Sequence, residues 1–349
     1  MSATPATAPN GTPNPEPAPP PGWTDAAARA RLHIVTGKGG TGKTTVAAAL
    51  ALSLASNGRR VLLIEVEERQ GIAQLFDLPP LPYEERKVAV APGGGEVRAL
   101  AIDVEAALME YFAMFYNLGF AGRTLKRLGA VEFATTLAPG LRDVLLTGKA
   151  KECVGRLGPN GKPVYDAVVV DAPPTGRVVT FLNVTVAMAD LARKGPIRNQ
   201  ADGVVTLLHS ADTMVHLVTL LQEMPVVEMM ETIAELRDAD LPVGSLIINA
   251  ATGAHLNGTA LEPAARGTLD LEELAADLAG AGITVTDALV DGLAAEATEH
   301  AIKVLAEAES ESVVRGAGLP VLTLPFLADG ADLGGVYELT EALTAQGVR

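Results

Sequence analysis

Residues 37–45 read GKGGTGKTT, and the fold turns on how that stretch is read. It fits G-x-x-x-x-G-K-[ST] through Gly37, Gly42, Lys43 and Thr44. On one side lies a short apolar run, RLHIVTG (31–37); on the other lies an Ala/Leu-rich helical pattern, KTTVAAALALSLASNG (43–58), stopped by Gly58. Strand, glycine loop and helix in that order are the context that a phosphate-binding loop requires. Glycines let the loop turn so that backbone N–H groups face phosphate oxygens, and the helix aims its positive end at the same place. In such a loop Lys43 bridges the β- and γ-phosphates and the Thr44 hydroxyl ligates Mg²⁺.

The same letters satisfy G-x-G-x-x-G through Gly37, Gly39 and Gly42, and acidic Glu65 and Glu67 follow the next strand as in a dinucleotide-binding fold. A dinucleotide loop has no use for Lys43 and Thr44, nor does it call for an aspartate-ended strand followed by APPTG. A nucleoside triphosphate is therefore expected over NAD. Lys38 is one lysine more than the loop needs, and it sits too early to serve phosphates that Lys43 neutralises. One use is to reach a nucleotide held by another subunit, where a cation delivered in trans is worth roughly 10³–10⁵ in rate. The other reading is a solvated loop lysine.

Working outward, strand and helix signals alternate. RRVLLIEV (59–66), VRALAI (97–102), YDAVVVDAPPTG (165–176), HLVTLL (216–221), GSLIINA (244–250) and LPVLTLPF (319–326) read as strands. PVVEMMETIAELRDADLP (225–242) and GGVYELTEALTAQ (334–346) read as helices. Fully apolar strands separated by helices imply an α/β fold: a doubly wound, mostly parallel sheet covered on both faces. Residues 1–24, rich in Pro, Ala and Thr, are expected to be a disordered tail. Residues 25–349 are expected to form a single P-loop NTPase domain with a helical insert at about 104–160 and a helical C-terminal segment at about 265–317. The phosphate loop is not duplicated, so one nucleotide site is expected per chain.

The bulk properties narrow the partners. The 349 residues carry a net charge of −15, which repels a polyphosphate backbone and disfavours nucleic acid. No apolar run reaches about 18 residues, and no basic and then apolar leader opens the chain, so a cytoplasmic protein is expected. A single cysteine, Cys153, permits no internal disulfide.

GKGGTGKTT resembles the deviant Walker A loop of the MinD/ParA/ArsA class, in which the early lysine contacts nucleotide across a dimer interface. DAPPTGR (171–177) resembles the DTAPTGH switch of the arsenical pump ATPase and of the eukaryotic ATPase that delivers tail-anchored membrane proteins. ALAIDVEAALMEYF (99–112) and APGLRDVL (138–145) also resemble pieces of that group, and the resemblance runs from about residue 31 to the C-terminus. The chain is similar to the ArsA/GET-type anion-transporting ATPases, most of all to the ArsA-like ATPases of actinobacteria. The resemblance implies that Gly37, Lys38, Gly39, Gly40, Thr41, Gly42, Lys43, Thr44 and Thr45 hold the phosphates of ATP, with Lys38 as the signature lysine. It implies Thr44 and, through water, Asp171 on magnesium, with the turn after Asp171 sensing the γ-phosphate. Asn249 corresponds to an adenine-reading asparagine, and Pro325 with Phe326 to the loop lining the other side of the base.

Departures from the family matter equally. The segment that holds the family's water-orienting aspartate is EVEER (65–69) here, which puts Glu67 in that role, with Glu65 and Glu68 as rivals. Arsenite binding needs converging thiolates and a zinc bridge needs a Cys-x-x-Cys pair; one cysteine supplies neither, and Arg177 replaces the switch histidine. Neither an arsenite nor a zinc site is expected. Tyr111, Phe112, Phe115, Tyr116, Phe120 and Phe133, with Met109 and Met114, match a region that is a hydrophobic client groove in the targeting relatives, and their spacing equally suits one buried helix face. The expected protein is a Mg-dependent ATP-hydrolysing switch, as a homodimer or with a related ArsA-like subunit, coupled to an unidentified partner such as a membrane-protein client. Alternatives are a non-catalytic nucleotide-binding subunit of a heterodimer and a MinD/ParA-like positioning switch.

Overall fold

The run Leu32–Gly37 (β1) lies at the middle of an eight-stranded sheet, paired in parallel with Ala167–Asp171 (β5) on one side and Thr213–Thr219 (β6) on the other. Beyond β5 come Arg60–Glu65 (β2), Glu96–Ala101 (β4) and Arg86–Val90 (β3); beyond β6 come Val243–Ala251 (β7) and Val321–Pro325 (β8). Only the β3–β4 pair is antiparallel. The computed structural model describes residues 22–116, 140–183 and 196–349, and the statements below refer to those residues.

Alternation of side chains along each strand divides the interior into two cores. Leu32, Ile34, Leu62, Ile64, Val168, Val170, Leu246 and Ile248 pack on one face, and Val35, Val61, Leu63, Val169 and Ile247 on the other. A strand buried on both faces has no polar side to show, which is why these runs are apolar throughout. The helices in chain order are Asp25–Arg29 (α1), Lys43–Ala55 (α2), Gly71–Leu75 (α3), Val104–Tyr116 (α4), Leu141–Gly155 (α5) and Thr175–Leu182 (α6). They continue as Pro196–Leu208 (α7), Glu223–Asp238 (α8), Gly258–Ala265 (α9), Leu271–Gly280 (α10), Asp287–Gly316 (α11) and Leu333–Ala345 (α12).

Helix α2 is buried at every position except Thr44, because the sheet lies on one side of it and α12 on the other. That explains its composition: Ala47, Ala48, Ala49 and Ala51 allow close approach, and Ser53 Oγ bonds Thr344 Oγ1 at 3.0 Å across the contact. The edge strand β3, RKVAV, was absent from the expected strands because most of its side chains are exposed or half-exposed and it reads as polar. Its signal was the following turn, PGGG (92–95), where Gly93 and Gly94 have φ of +79° and +95° and a Cβ on Gly95 would stand 1.7 Å from Ala55 O. Part of the Ala-rich stretch after β7 forms α9 and α10 before the 30-residue α11 begins at its Thr286 cap. Helix α4 has Leu108 buried and Met109 packed on the core, whereas Tyr111, Phe112, Met114, Phe115, Tyr116, Phe120 and Phe133 have side chains outside the described residues, as does most of the 1–24 stretch.

The end of that stretch is placed. Trp23 is 7% exposed and stacks on His33 and His216, with ring centroids at 5.6 and 5.3 Å. The two buried imidazoles form a directional chain. Ser245 N donates to His216 Nδ1, the histidines share a 3.1 Å bond between His216 Nε2 and His33 Nδ1, and His33 Nε2 reaches Ala30 O at 3.1 Å. Only neutral rings satisfy that chain, each donating from Nε2. Burial pushes His33 down to about 4 and His216 well below the usual histidine range.

A base whose pKa is depressed on folding binds fewer protons in the native state, so stability falls as pH drops below about 6.5, the unfolded value. His33 alone costs about 2 kcal/mol at pH 5 on this account. Asp171, raised to about 6, acts in the opposite sense over the same window. In an Asp171→Asn background, urea unfolding followed by the emission of the single tryptophan should show stability declining steadily from pH 7 to pH 5. A flat profile there would contradict the neutral pair.

Candidate functional site

β1 ends at Gly37 where β6 comes so close that a Cβ would stand 2.2 Å from Val218 O. The loop beyond is closed by Thr41, whose N–H and Oγ1 both donate to Lys38 O, at 3.2 and 2.8 Å. Gly40 and Gly42 have φ of +89° and +82°, and Gly42 caps α2 in the left-handed conformation. A Cβ on Gly39 or Gly40 would meet nothing within 4 Å, so this backbone is exposed to open space. Asn249, at the end of β7, donates its amide to Thr41 O at 2.9 Å and thereby braces the loop from the side. Lys43 and Thr45 are buried in the first turn of α2.

Parallel pairing brings Asp171 opposite both Val35 and Glu65 at the carboxyl edge of the sheet. Asp171 Oδ2 accepts a 2.6 Å bond from Thr44 Oγ1, while Oδ1 is buried and has no hydrogen-bond partner. Burial pushes its carboxyl up to about 6, against the pull of the Thr44 bond and of Lys43. A buried carboxylate oxygen left over beside a threonine hydroxyl suits a hydrated magnesium ion, so this donor set fits the metal.

The segment after Asp171 is tied on both sides. Thr36 Oγ1 donates to Pro173 O at 2.7 Å, and Thr175 Oγ1 donates to Glu228 on α8. Glu228 also receives Lys38, whose Nζ lies 3.0 Å from its second oxygen. The Thr175 hydrogen bond, with help from Lys38, holds this carboxyl below the usual range. Sequence reading did not find Glu228, because nothing marks one acid on a helix 190 residues away as a partner of the loop.

The three acids after β2 separate cleanly. Glu65 is buried and accepts the N–H groups of Gly71 and Ile72 at 3.1 and 3.3 Å, so it caps α3. Glu68 is exposed and pairs with Arg142 at 3.2 Å. Glu67 and Glu68 both line a cleft of about 260 Å³ together with Pro173, Arg142 and Arg177, and Glu67 lies 3.9 Å from Arg69. Of the three, Glu67 has neither the capping duty of Glu65 nor the Arg142 pairing of Glu68. Pro325 pairs with Ala251, and Phe326 follows it, 60% exposed, with the Lys303 ammonium 5.7 Å from its ring centre. Asn249 and Phe326 therefore lie at the ends of adjacent strands.

The profile of the anion-transporting ATPases matches residues 30–208, which span β1, the glycine loop, α2 and the Asp171 switch. The chain is 58% identical over 328 residues to the ATPase BagA of Mycobacterium tuberculosis, covering 94% of this chain and 96% of that one. The chain belongs to the anion-transporting ATPase family. It is also similar to the arsenical pump-driving ATPase of Acidiphilium multivorum, at 28% identity over 61% of this chain and 38% of that one. The ATPase get3 of Schizosaccharomyces japonicus is 26% identical over 49% of this chain and 51% of its own. As a member of this family the chain is a nucleotide-binding ATPase.

Gly42→Ala tests the loop directly. The new methyl would stand 2.4 Å from Asn249 Nδ2 on a residue at φ +82°, a conformation costing a non-glycine residue about 1–2 kcal/mol. Calorimetric titration with ADP should show affinity lowered by at least about tenfold with the melting temperature nearly unchanged. Wild-type affinity would mean that the loop is not the nucleotide cradle.

Proposed function

We propose that the chain is a magnesium-dependent, ATP-hydrolysing dimeric switch in which Lys38 serves the nucleotide of a second subunit, either another copy or a related chain. The observation that carries this reading is the division of labour between the two lysines. Lys43 is buried under its own loop beside Asp171, whereas the Lys38 ammonium is engaged outside the loop, on Glu228. A lysine built to serve its own phosphates has no reason to be held on α8.

In this reading the backbone N–H groups of Gly39, Gly40, Gly42, Lys43 and Thr44 bind the phosphates, and Lys43 neutralises the β- and γ-oxygens. Thr44 and Asp171 would hold the metal, which supplies positive charge that stabilises the leaving phosphate. Glu67 orients the attacking water from the cleft beside Pro173, and its extra methylene relative to an aspartate changes the reach by about 1 Å, a displacement that alone costs roughly 10² in rate elsewhere. Asn249 and Phe326 stand at strand ends suited to flank the base, although the Asn249 amide already braces Thr41. The mycobacterial relatives match along almost the whole chain, which supports a shared chemistry but leaves the transported or targeted partner open. No described helix is long and apolar enough to cross a membrane, in keeping with a cytoplasmic switch that acts on a partner.

Lys38→Ala should keep ATP binding and lose hydrolysis or dimer closure, whereas Glu67→Gln should bind and close with turnover reduced about 10²-fold. Turnover is to be measured for the chain alone and with a related subunit. Unchanged turnover and oligomerisation in Lys38→Ala would remove the role in trans, and activity only in the mixture would favour a non-catalytic subunit.

A further inference from the structure

Lys38 and the switch turn meet on one carboxylate. Glu228 Oε2 lies 3.0 Å from Lys38 Nζ, and Oε1 accepts from Thr175 Oγ1, so each oxygen serves a different segment. Thr175 is buried and opens α6 directly after the turn Pro173–Pro174. Lys38 and Glu228 are 32% and 28% exposed, so their pair lies at the surface, where such pairs exchange partners readily. Met224 and Val227, four and one residues before Glu228 on α8, are 62% and 47% exposed. The charged pair is thus edged by uncovered apolar side chains.

We propose that Glu228 is a positioning residue that keeps Lys38 on its own chain until the turn at 173–175 moves, so that release of Lys38 depends on which nucleotide is bound. The inference rests on the role in trans given to Lys38 above. A turn that draws toward a γ-phosphate takes the Thr175 hydroxyl away from Oε1, and the carboxylate loses the bond that orients it toward Lys38. The ammonium then trades a single carboxylate for a triphosphate carrying several charges once a second subunit brings one within reach. With ADP the turn stays, Glu228 stays oriented, and Lys38 stays in cis. In this role Glu228 acts through Lys38.

The test is sedimentation velocity of the full chain with ADP and with a non-hydrolysable ATP analogue. Wild type should associate more tightly with the analogue than with ADP. Glu228→Gln keeps the shape and the acceptor for Thr175 but removes the charge that holds Lys38. It should tighten association in ADP by about tenfold and narrow the difference between nucleotides. Glu231→Gln makes the same charge change three residues along and should match wild type. Glu228→Asp keeps the charge on a shorter arm and should fall between; it also serves if the glutamine variant unfolds. Glu228→Gln indistinguishable from wild type or from Glu231→Gln in both nucleotides would overturn the holding role. Lys38→Ala distinguishes the two levels: normal association and turnover there would sink the role in trans itself, whereas loss in Lys38→Ala beside an unaltered Glu228→Gln would sink only the role of Glu228.

Discussion

The hydrogen bond from Thr44 to Asp171, 2.6 Å long and buried, fastens the first turn of α2 to the end of β5. The rest of the site depends on it. Asp171 is a carboxylate in a place where burial opposes charge, and the Thr44 hydroxyl and Lys43 pull its pKa back toward the usual range. Without that hydroxyl a second oxygen would join Oδ1 as an unpaired buried acceptor, a loss of about 1–3 kcal/mol or more for a charged group. The same bond sets the distance between the glycine loop and the switch turn, since Thr36 and Thr175 hold that turn only a few residues further on. The glycine loop, Thr44, Asp171 and the turn after it are thereby one mechanical unit.

Much of this was legible because β1 and β5 are buried throughout, and α2 and the middle of β7 nearly so, which leaves a strong apolar signature. GKGGTGKTT declared the loop because a phosphate cradle demands glycine where φ is positive or backbone approaches backbone, as at Gly37 and Gly42. Two kinds of feature were not legible. β3 is an exposed edge whose residues need not be apolar, so only its glycine turn could have announced it. Contacts across long sequence separations leave no local trace: Glu228 to Lys38, Asn249 to Thr41 and Trp23 to the histidine pair are set by strand order, which a pattern of elements leaves open. Glu65 shows the converse. Sequence made it a rival to Glu67, and geometry spends both its oxygens on the cap of α3.

Charge constrains how two such chains could meet. Each copy carries −15, so two copies repel at a distance, and at physiological ionic strength that repulsion is screened beyond about 8 Å. Association must therefore come from short-range contacts. The exposed Met224 and Val227 supply apolar area beside the loop, and Lys38 is a cation at the edge of a site that gathers negative charge when filled. An acidic surface with one transferable cation favours pairing when the facing pocket holds a triphosphate over pairing when it does not. Selectivity of that kind needs no large interface.

The family profile ends at residue 208, within α7, yet the site does not. Glu228, Asn249 and Phe326 come from the helix and strands laid down on the far side of β1, where β6, β7 and β8 extend the sheet. The half before residue 208 contains the glycine loop, Lys43, Thr44 and Asp171. The half after it braces the loop through Asn249, stations an exposed aromatic ring at the neighbouring strand end and holds the second lysine. The residues that touch Lys38 and Thr41 from outside the loop, Glu228 and Asn249, thus belong to the half that the family profile does not match.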